Sequence, residues 1–538
     1  MNLRWLFFFV FGFLLANGSS LAGERAICGL LGEGKPWETP YHIRDTGIEG
    51  PSVLVIGGMH GNEPAGAAAA EQIRHWPLAR GKLITIPRAN IRGLEEGSRY
   101  IPGAPEERRD LNRNFPGDSL EGGTRGEIAA AIWKLTLETK PDWIFDLHEG
   151  YEFNISHQPK RGKPKSVGSS LIYFSTPEMD DLAKQMQTAA NATVTDPDRK
   201  FTLLNGGTKE RGLINAAVRH LGVKGMILET TFKQQRLPIR TRQHRLMMNV
   251  ALRHVGLIDQ DCADFIAPAK SDEHIRVALF DGNGSSENGI SNTSKALAAA
   301  DDISVVRVGP ADIRPEILSQ FDAVIFSGGS GSKQAASISE GGSAAVRQFV
   351  EQGGGYLGIC AGAFLCSSHY PWSLDLVDTH VLTGAVEVEG QGKKQMWYRG
   401  KWAPIKIELT DHGRRVFKGI PEMSVVRYHN GPIVSRKQTP ELEDYRVLAW
   451  YRSETFRIPQ QKGTMINTPA IVEGGFGEGR VMSISPHPEA TQGLEPMIVH
   501  AVRTVVQRAE RVPVEDADPE NAVPLSPNAA PRAALPRR

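Results

Sequence analysis

Two histidines and one glutamate stand at the ends of predicted strands in the first half of the chain. His60 and Glu63 lie on a glycine-flanked turn, 57–64, that follows the apolar run 51–56, and His148 ends a second apolar run. The ends of strands are where α/β sheets usually hold their ligands. A catalytic zinc takes three nitrogen or oxygen ligands and keeps one position open. We therefore predict a zinc site formed by His60, Glu63 and His148.

A carboxylate at the end of a third apolar run supplies a candidate general base. Glu229 follows the run 225–228, and a zinc hydrolase needs a group that accepts a proton from the attacking water. The alternative for Glu229 is a salt-bridging carboxylate at a strand end. Asp146, two residues before His148, is expected to point to the opposite face of its strand and to be structural.

A cysteine between glycines is the reactive candidate of the second half. Cys360 stands at a predicted strand-to-helix turn, the layout of a nucleophile elbow, where the start of a helix can lower a thiol pKa. His487 and Glu489 follow another apolar strand far downstream, and the three residues can act as nucleophile, base and orienting carboxylate. The glycine-rich loop 327–332 offers amides for an oxyanion. The stretch 428–432 either lines the same cleft or is a plain turn.

The elements that position these residues alternate between strands and helices, which indicates largely parallel sheets covered on both faces. We predict two α/β domains, 23–258 and 274–510, joined by a linker at 259–273. Within the first domain, 90–121 reads as a long irregular stretch, and such stretches are usually functional. Pro, Ala and Glu dominate 511–538, which is therefore expected to be a disordered tail.

Composition bears on partners and localisation. The net charge of +1, from 62 basic and 61 acidic residues, gives no support for a nucleic-acid partner. Residues 1–22 combine a basic head, an apolar core and small residues, which is typical of a secretory signal peptide, with an uncleaved anchor as the alternative. We expect an exported protein, periplasmic or secreted, with no stable membrane span after signal cleavage. The oligomeric state is left open.

The four cysteines do not form a disulfide framework. Cys28 and Cys262 flank the first domain and could pair in an oxidising compartment. Cys360 and Cys366 could also form a disulfide. The sequence does not decide between paired and free thiols.

Three motifs of the first domain resemble the zinc carboxypeptidase superfamily. HGNEPAG, DLNRNFPG and DLHEG begin at His60, Asp110 and Asp146, and they are most similar to the branch that holds succinylglutamate desuccinylase and aspartoacylase. The resemblance covers about 45–255. It implies a mixed sheet with helices on both faces, and zinc held by the three ligands predicted above.

The same resemblance implies roles for residues around the metal. Glu229 matches the catalytic glutamate on a late strand. Asn112 and Arg113 match the substrate clamp, and the planar fork of an arginine suits a free carboxylate. Arg99 takes the place of an upstream arginine that polarises the scissile carbonyl.

The second domain resembles a class I glutamine amidotransferase. Cys360 with His487 and Glu489 carries this likeness, and GGGYLGICAGAFL is similar to the amidotransferase-like domain at the N-terminus of some biotin–protein ligases. The resemblance covers about 274–505 and implies a flavodoxin-like α/β fold. The site is either a working cysteine hydrolase or a degenerate binding or scaffolding module.

These observations together lead to one expected function and two alternatives. We expect an exported zinc hydrolase that cleaves an amide bond next to a free carboxylate. Such an enzyme is a metallocarboxypeptidase or an amidohydrolase of N-acyl amino acids or murein peptides. The first alternative is a binding protein for peptides or cell-wall fragments in which both sites are inactive. The second alternative is a Cys-His-Glu amidase in which the second domain is the main enzyme.

Overall fold

The computed structural model describes residues 24–162, 164–206, 211–271 and 273–507. The predicted signal peptide, 1–22, and the predicted tail, 511–538, lie outside the described residues. The chain divides into two compact units. The first unit comprises the residues up to 233 together with 243–262, and the second comprises 234–242 together with the residues from 263 onward. In the described ranges, no helix is both long and apolar enough to cross a membrane.

The strands of the first unit form one mixed sheet. In chain order they are β1 (Arg25–Leu31), β2 (Thr39–Asp45), β3 (Ser52–Gly57), β4 (Lys82–Ile86), β5 (Trp143–Gly150), β6 (Ser170–Tyr173), β7 (Thr202–Asn205) and β8 (Lys224–Thr231). Their spatial order is β1-β2-β4-β3-β5-β8-β6-β7. Because β3, β5 and β8 are parallel neighbours, their carboxyl ends meet at one edge of the sheet.

Helices cover both faces of this sheet, as the resemblance implied. The helices as far as 254 are α1 (Pro64–Ile73), α2 (Ile91–Glu96), α3 (Glu127–Thr139), α4 (Pro177–Asn191), α5 (Leu213–Leu221) and α6 (Leu237–His254). Alternate residues of β3 enter two separate cores, Val53 with α1 and α4, and Leu54 with α3 and α5. Both layers are apolar because successive strand residues face opposite sides.

Two glycines let α1 lie directly on the strands that carry the candidate site. A Cβ added at Gly66 would lie 2.2 Å from the carbonyl oxygen of Leu147, and one at Gly57 would lie 2.4 Å from the carbonyl oxygen of Gly66. Carbon and oxygen atoms cannot approach so closely, so these positions exclude any side chain. The helix that begins at Pro64 is therefore held against β3 and β5.

The second unit is built around a nine-stranded sheet. The strands of the second unit are β9 (Ile275–Phe280), β10 (Ile303–Val308), β11 (Ala323–Phe326), β12 (Gly355–Ile359), β13 (Thr379–Val381), β14 (Ala385–Val388), β15 (Gly392–Gln395), β16 (Ala403–Leu409), β17 (Met423–Tyr428), β18 (Val434–Arg436), β19 (Arg446–Tyr451), β20 (Pro469–Phe476) and β21 (Gly479–Ile484). The large sheet has the order β10-β9-β11-β12-β21-β20-β19-β16-β17, while β13 pairs with β18 and β14 with β15. Its five parallel strands follow the flavodoxin-like order 2-1-3-4-5.

Helices also lie on both faces of the second sheet. They are α7 (Glu287–Leu297), α8 (Pro315–Leu318), α9 (Gly331–Glu351), α10 (Ala361–Cys366), α11 (Asp411–Val416) and α12 (Pro496–Val505). Leu279 of β9 packs in the core that contains α7 and α12, and its neighbour Phe280 packs in the core that contains α8 and α9. The predicted α/β class, a mixed-sheet unit followed by a flavodoxin-like unit, is confirmed, and the second sheet also has antiparallel strands.

Some local elements differ from the sequence-based expectation. The stretch 90–121 is not irregular throughout, because α2 occupies its first part. Asn90 caps that helix by accepting a hydrogen bond from the Gly93 amide, and Gly97 ends it in a left-handed conformation. The β1–β2 hairpin was not predicted, since β1 is mostly exposed and lacks a buried apolar pattern.

Candidate functional site

The three predicted metal ligands come from two adjacent strands. His60 and Glu63 lie on the turn between β3 and α1, where the Glu63 amide donates to the carbonyl of His60 at 3.1 Å. His148 lies near the end of β5, the strand paired with β3. All three side chains are buried. The short turn and the parallel pairing bring them to one point at the sheet edge.

The inner nitrogens of both histidines face one carboxylate. The Nδ1 of His60 lies 2.8 Å from Oε1 of Glu63, and the Nδ1 of His148 lies 2.8 Å from Oε2 of the same residue. The two Nδ1 atoms are 3.2 Å apart. Among the described residues, this is the one group of three or more candidate ligand side chains that could hold a metal ion.

The outer nitrogens of the histidines are each held by a second carboxylate. The Nε2 of His60 lies 3.1 Å from Oδ1 of Asp110, and the Nε2 of His148 lies 2.9 Å from Oδ2 of Asp146. Every ring nitrogen of the two histidines therefore faces a carboxylate oxygen, and the two rings share the three carboxylates of Glu63, Asp110 and Asp146.

The expectation for Asp146 was wrong. Residues two apart on a strand share a face, so Asp146 and His148 point to the same side and their side chains meet. Asp146 is fully buried. The signal that identifies it is the Asp-x-His spacing within a predicted strand.

The carboxylates around His60 and His148 favour positive charge at these two residues. Burial alone would lower the pKa of His60 and of His148, but the neighbouring carboxylates outweigh it and raise both pKa values. Burial alone would raise the pKa of Glu63, but the two histidines outweigh it and lower that pKa. Two nitrogen lone pairs and a carboxylate oxygen, each backed by a fixed partner, are the donor set of a catalytic zinc. The residues present therefore fit the metal that the resemblance implies.

Glu229 lies beside the group without joining it. Its strand position is opposite His148 in the β5–β8 register, and 8% of the residue is exposed. Burial raises the pKa of Glu229 to about 8, against the opposing charge of His148. Glu229 is therefore a buried carboxylate beside His148, with its pKa raised toward neutral pH, and its predicted role as general base stays a prediction.

Two arginines reach the same site. The Nη1 of Arg99 donates to Oε1 of Glu63 at 3.0 Å, and its Nη2 lies 3.4 Å from Oδ2 of Asp110. Burial lowers the pKa of Arg113, with Asp110 and Glu229 acting in the opposite direction. In the described part of the chain, the guanidinium of Arg113 forms no ion pair with a carboxylate within 4.0 Å. Its Nη1 donates to the main-chain carbonyl of Asn112 at 2.5 Å.

Asn112 is engaged within the protein. Its Oδ1 accepts a hydrogen bond from the Leu213 amide at 3.0 Å, and its Nδ2 lies 3.2 Å from Nε2 of His148. The side chain is buried. These contacts fix Asn112 behind a metal ligand, and its predicted substrate-binding role stays a prediction.

Cys360 occupies a strained turn at the end of β12. Its φ of +51° is rare for a residue with a side chain, and it directly precedes α10. A Cβ at Gly362 would lie 1.9 Å from the carbonyl oxygen of Phe326, and one at Gly358 would lie 2.4 Å from the carbonyl oxygen of Gly362. The two glycines allow the sharp turn that presents the thiol, which is the geometry of a nucleophile elbow.

His487 and Glu489 lie with Cys360, as the sequence predicted. The Nδ1 of His487 is 2.7 Å from Oε1 of Glu489, and within the described part of the chain its Nε2 is buried without a hydrogen bond. Burial alone would lower the pKa of His487, but the charges of Cys360 and Glu489 outweigh it and raise that pKa. A Cβ at Gly328 would lie 3.0 Å from Cε1 of His487 and 3.9 Å from Cβ of Cys360. The glycine loop therefore faces the thiol.

The stretch 428–432 contacts the same thiol. The Sγ of Cys360 lies 3.6 Å from the carbonyl oxygen of His429. All four cysteines are free thiols, so neither of the two possible disulfides is formed. Burial raises the pKa of Cys366 to about 12.

Comparisons with known proteins identify both halves of the chain. Residues 49–157 match the family model described as the succinylglutamate desuccinylase/aspartoacylase catalytic domain, and residues 275–518 match the one described as biotin-protein ligase, N terminal. Both resemblances drawn from the motifs are confirmed. Neither match extends over half of the chain.

Similar proteins and structures cover parts of the first half. N-alpha-acetyl-L-2,4-diaminobutyric acid deacetylase of Halomonas elongata is 33% identical over 105 residues, which is 19% of this chain and 29% of that protein. Csd4 of Helicobacter pylori, a D,L-carboxypeptidase, is 20% identical, with a TM-score of 0.33 and coverage of 39% of this chain and 52% of its own. An aspartoacylase family protein of Mesorhizobium loti is 22% identical, with a TM-score of 0.32 and coverage of 45% and 70%. The chain thus spans under a third of its curated relative and about half of the Csd4 structure.

We predict that Asp146→Asn weakens zinc binding by roughly 10–100-fold, because the negative charge beside the Nε2 of His148 is lost. Competition with a chromophoric chelator on metal-free protein measures the affinity directly. Asp142→Asn is the matched control, since Asp142 flanks the same strand and its side chain accepts a hydrogen bond from the Ser52 amide. An unchanged affinity in Asp146→Asn would contradict this role.

Proposed function

We propose that the first unit is an exported zinc-dependent hydrolase that cleaves an amide bond next to a free carboxylate. The observation that supports it is the buried meeting of two imidazole nitrogens with the Glu63 carboxylate. The family match over 49–157 and the deacetylase named among the relatives are in keeping with an amide hydrolase. The proposal of export is based on the basic head, the apolar core and the small residues within 1–22.

Zinc would be held by His60, Glu63 and His148, and when bound it supplies Lewis-acid chemistry that acidifies water and polarises a carbonyl. Glu229 accepts a proton from the attacking water at its carboxylate. It then returns that proton to the nitrogen of the leaving group. Asp110 and Asp146 orient the two imidazoles through their contacts to the Nε2 atoms.

The two arginines define the substrate. The guanidinium of Arg113 has planar donors for a free carboxylate, and Arg99 donates toward the scissile carbonyl oxygen. The substrate class that fits is a small molecule or peptide with a carboxylate beside the amide. C-terminal peptide bonds, N-acyl amino acids and murein peptides belong to this class.

We predict that Glu229→Gln binds zinc with unchanged stoichiometry but loses turnover by about a thousandfold or more, because the amide cannot accept the proton. Zinc content is measured by elemental analysis, and turnover by amine release from peptides with free and blocked C-termini. Glu138→Gln, an exposed glutamate of α3 that pairs with Lys134, serves as the control. Full turnover in Glu229→Gln would remove Glu229 from the mechanism.

A second candidate activity belongs to the second unit. We propose that Cys360 is the nucleophile of an amide hydrolase in which His487 takes the thiol proton and Glu489 orients the imidazole. The observation that favours it is the left-handed φ of Cys360, because such strain persists mainly at functional sites. The family match over 275–518 concerns the fold and does not fix an activity.

The second activity is expected to survive removal of metal. On chelator-treated protein, we predict that Cys360→Ala lowers hydrolysis of carboxylate-bearing primary amides by about a thousandfold, because the attacking sulfur is absent. Ammonia release is the measurement. Cys28→Ala, which removes an exposed thiol outside the triad, should leave the rate unchanged. Chelator-resistant hydrolysis that persists in Cys360→Ala would contradict the assignment.

A further inference from the structure

The triad histidine lies on the segment 485–491, in which a proline stands on either side of it. Pro486 and Pro488 flank His487, and proline has no amide hydrogen that could donate to a neighbouring strand. The His487 amide itself donates to the carbonyl of Arg427 at 2.8 Å. Because the segment is poor in main-chain donors, side-chain hydroxyls are important for holding it against its neighbours.

One buried hydroxyl joins this segment to the turn that contacts the thiol. The Oγ of Ser485 donates to the carbonyl of Pro432 at 2.7 Å and accepts a hydrogen bond from the hydroxyl of Tyr451, also at 2.7 Å. Ser485 and Tyr451 are both buried. A Cβ at Gly431 would lie 2.0 Å from the carbonyl oxygen of Ser485, so the turn 428–432 lies directly on the segment.

The same turn is also held at its beginning. The Oγ1 of Thr491 donates to the carbonyl of His487 at 2.7 Å and accepts from the amide of Arg427 at 3.0 Å. Between the two anchored ends, the carbonyl of His429 lies 3.6 Å from the Sγ of Cys360. The turn that accepts a hydrogen bond from the thiol is therefore held at both ends by the segment that carries the imidazole.

The imidazole and the cysteine lie beside one point of the glycine loop. A Cβ at Gly328 would have the Cε1 of His487 and the Cβ of Cys360 both within 4 Å. Tyr428 and Tyr451 pack in the same core as Cys360, and their rings meet edge to face at 5.8 Å. The hydroxyl network thus lies directly behind the thiol and the imidazole.

We infer that Ser485, with Tyr451 as its hydrogen-bond donor, is a positioning residue for the pair of Cys360 and His487. Its hydroxyl takes no part in proton transfer. It acts through Pro432, because it fixes the segment that carries the imidazole to the turn that contacts the thiol. This inference rests on the proposed activity of Cys360, and it adds two buried hydroxyls to the requirements of that site.

Loss of the Ser485 hydroxyl has two opposing effects on the pKa of the Cys360 thiol. A weaker hydrogen bond to the His429 carbonyl would lower that pKa, but a thiol is only a weak donor. A more distant His487 imidazolium would raise it, and an opposite charge within about 4–6 Å shifts a pKa by roughly 1–3. The charge effect is the larger of the two, so the pKa should rise.

The pH dependence of Cys360 alkylation measures this pKa without an enzymatic assay. The thiolate attacks the methylene carbon of iodoacetamide, a C–S bond forms, the C–I bond breaks and iodide leaves. Peptide mass spectrometry of the full-length protein over a range of pH gives the rate at each cysteine. The exposed Cys28 is the internal reference thiol, and wild-type Cys360 should titrate below it because of the imidazolium.

Ser485→Ala is expected to raise the apparent pKa of Cys360 by about one pH unit, which lowers the thiolate fraction near neutral pH about tenfold. Tyr451→Phe keeps the packing of the ring, removes the hydroxyl that donates to Ser485, and should raise the pKa by less. If Ser485→Ala does not fold, Tyr451→Phe decides the question.

Ser424→Ala is the matched control. Ser424 is also buried, lies on β17 and donates from its Oγ to a proline carbonyl, that of Pro421, at 3.0 Å. It therefore has the same kind of hydrogen bond without a link to the segment 485–491. The pKa of Cys360 should be unchanged in this variant.

Three outcomes overturn the inference in distinguishable ways. If the pKa of Cys360 is low and neither Ser485→Ala nor Tyr451→Phe changes it, the hydroxyls do not position the pair, although the nucleophile stands. If Ser424→Ala raises the pKa as much as Ser485→Ala does, the shift reflects a general loosening of the unit. If wild-type Cys360 titrates like Cys28 or is not alkylated, the thiol is not activated, and the second candidate activity falls together with the inference.

Discussion

The first unit depends on a contact that is unfavourable without a cation. Two imidazole nitrogens and a carboxylate oxygen meet at separations of 2.8 and 3.2 Å in a buried site. Buried acceptors that face one another without a proton or a cation cost free energy. A divalent ion removes that cost, and Asp110 and Asp146 lie against the outer nitrogens of the two rings. Gly57 and Gly66 let α1 lie directly on β3 and β5, and this brings the turn that carries Glu63 close to β5.

The second unit concentrates chemistry at a strand end by another means. The backbone of Cys360 is strained, with a φ of +51°. Gly358 and Gly362 permit the close contacts that stabilise this turn. His487 and Glu489 approach from a strand that is distant in sequence but adjacent in the sheet, because β21 pairs directly with β12. In both units the parallel core sets the reactive groups at carboxyl ends of strands, which is the usual location for ligands in such sheets.

The site residues could be predicted where strand ends and residue types coincide. His60, Glu63, His148 and Glu229 each follow an apolar run, so their meeting at one sheet edge followed from strand periodicity and turn glycines. The expectation for Asp146 failed because residues two apart on a strand point to the same face, whereas Asp146 was expected on the face opposite His148. The engagement of Asn112 with Leu213 depends on a contact between residues 101 positions apart.

The identity of the metal donors is the claim on which the account rests, and X-ray absorption at the zinc K edge tests it most directly. Full-length protein loaded with one equivalent of zinc should show only nitrogen and oxygen neighbours at about 2.0–2.1 Å, with the multiple scattering of two imidazoles. Replacing His148 by alanine should leave the signature of one imidazole. A sulfur neighbour at about 2.3 Å, or a spectrum unchanged by that replacement, would place the zinc elsewhere and contradict the account.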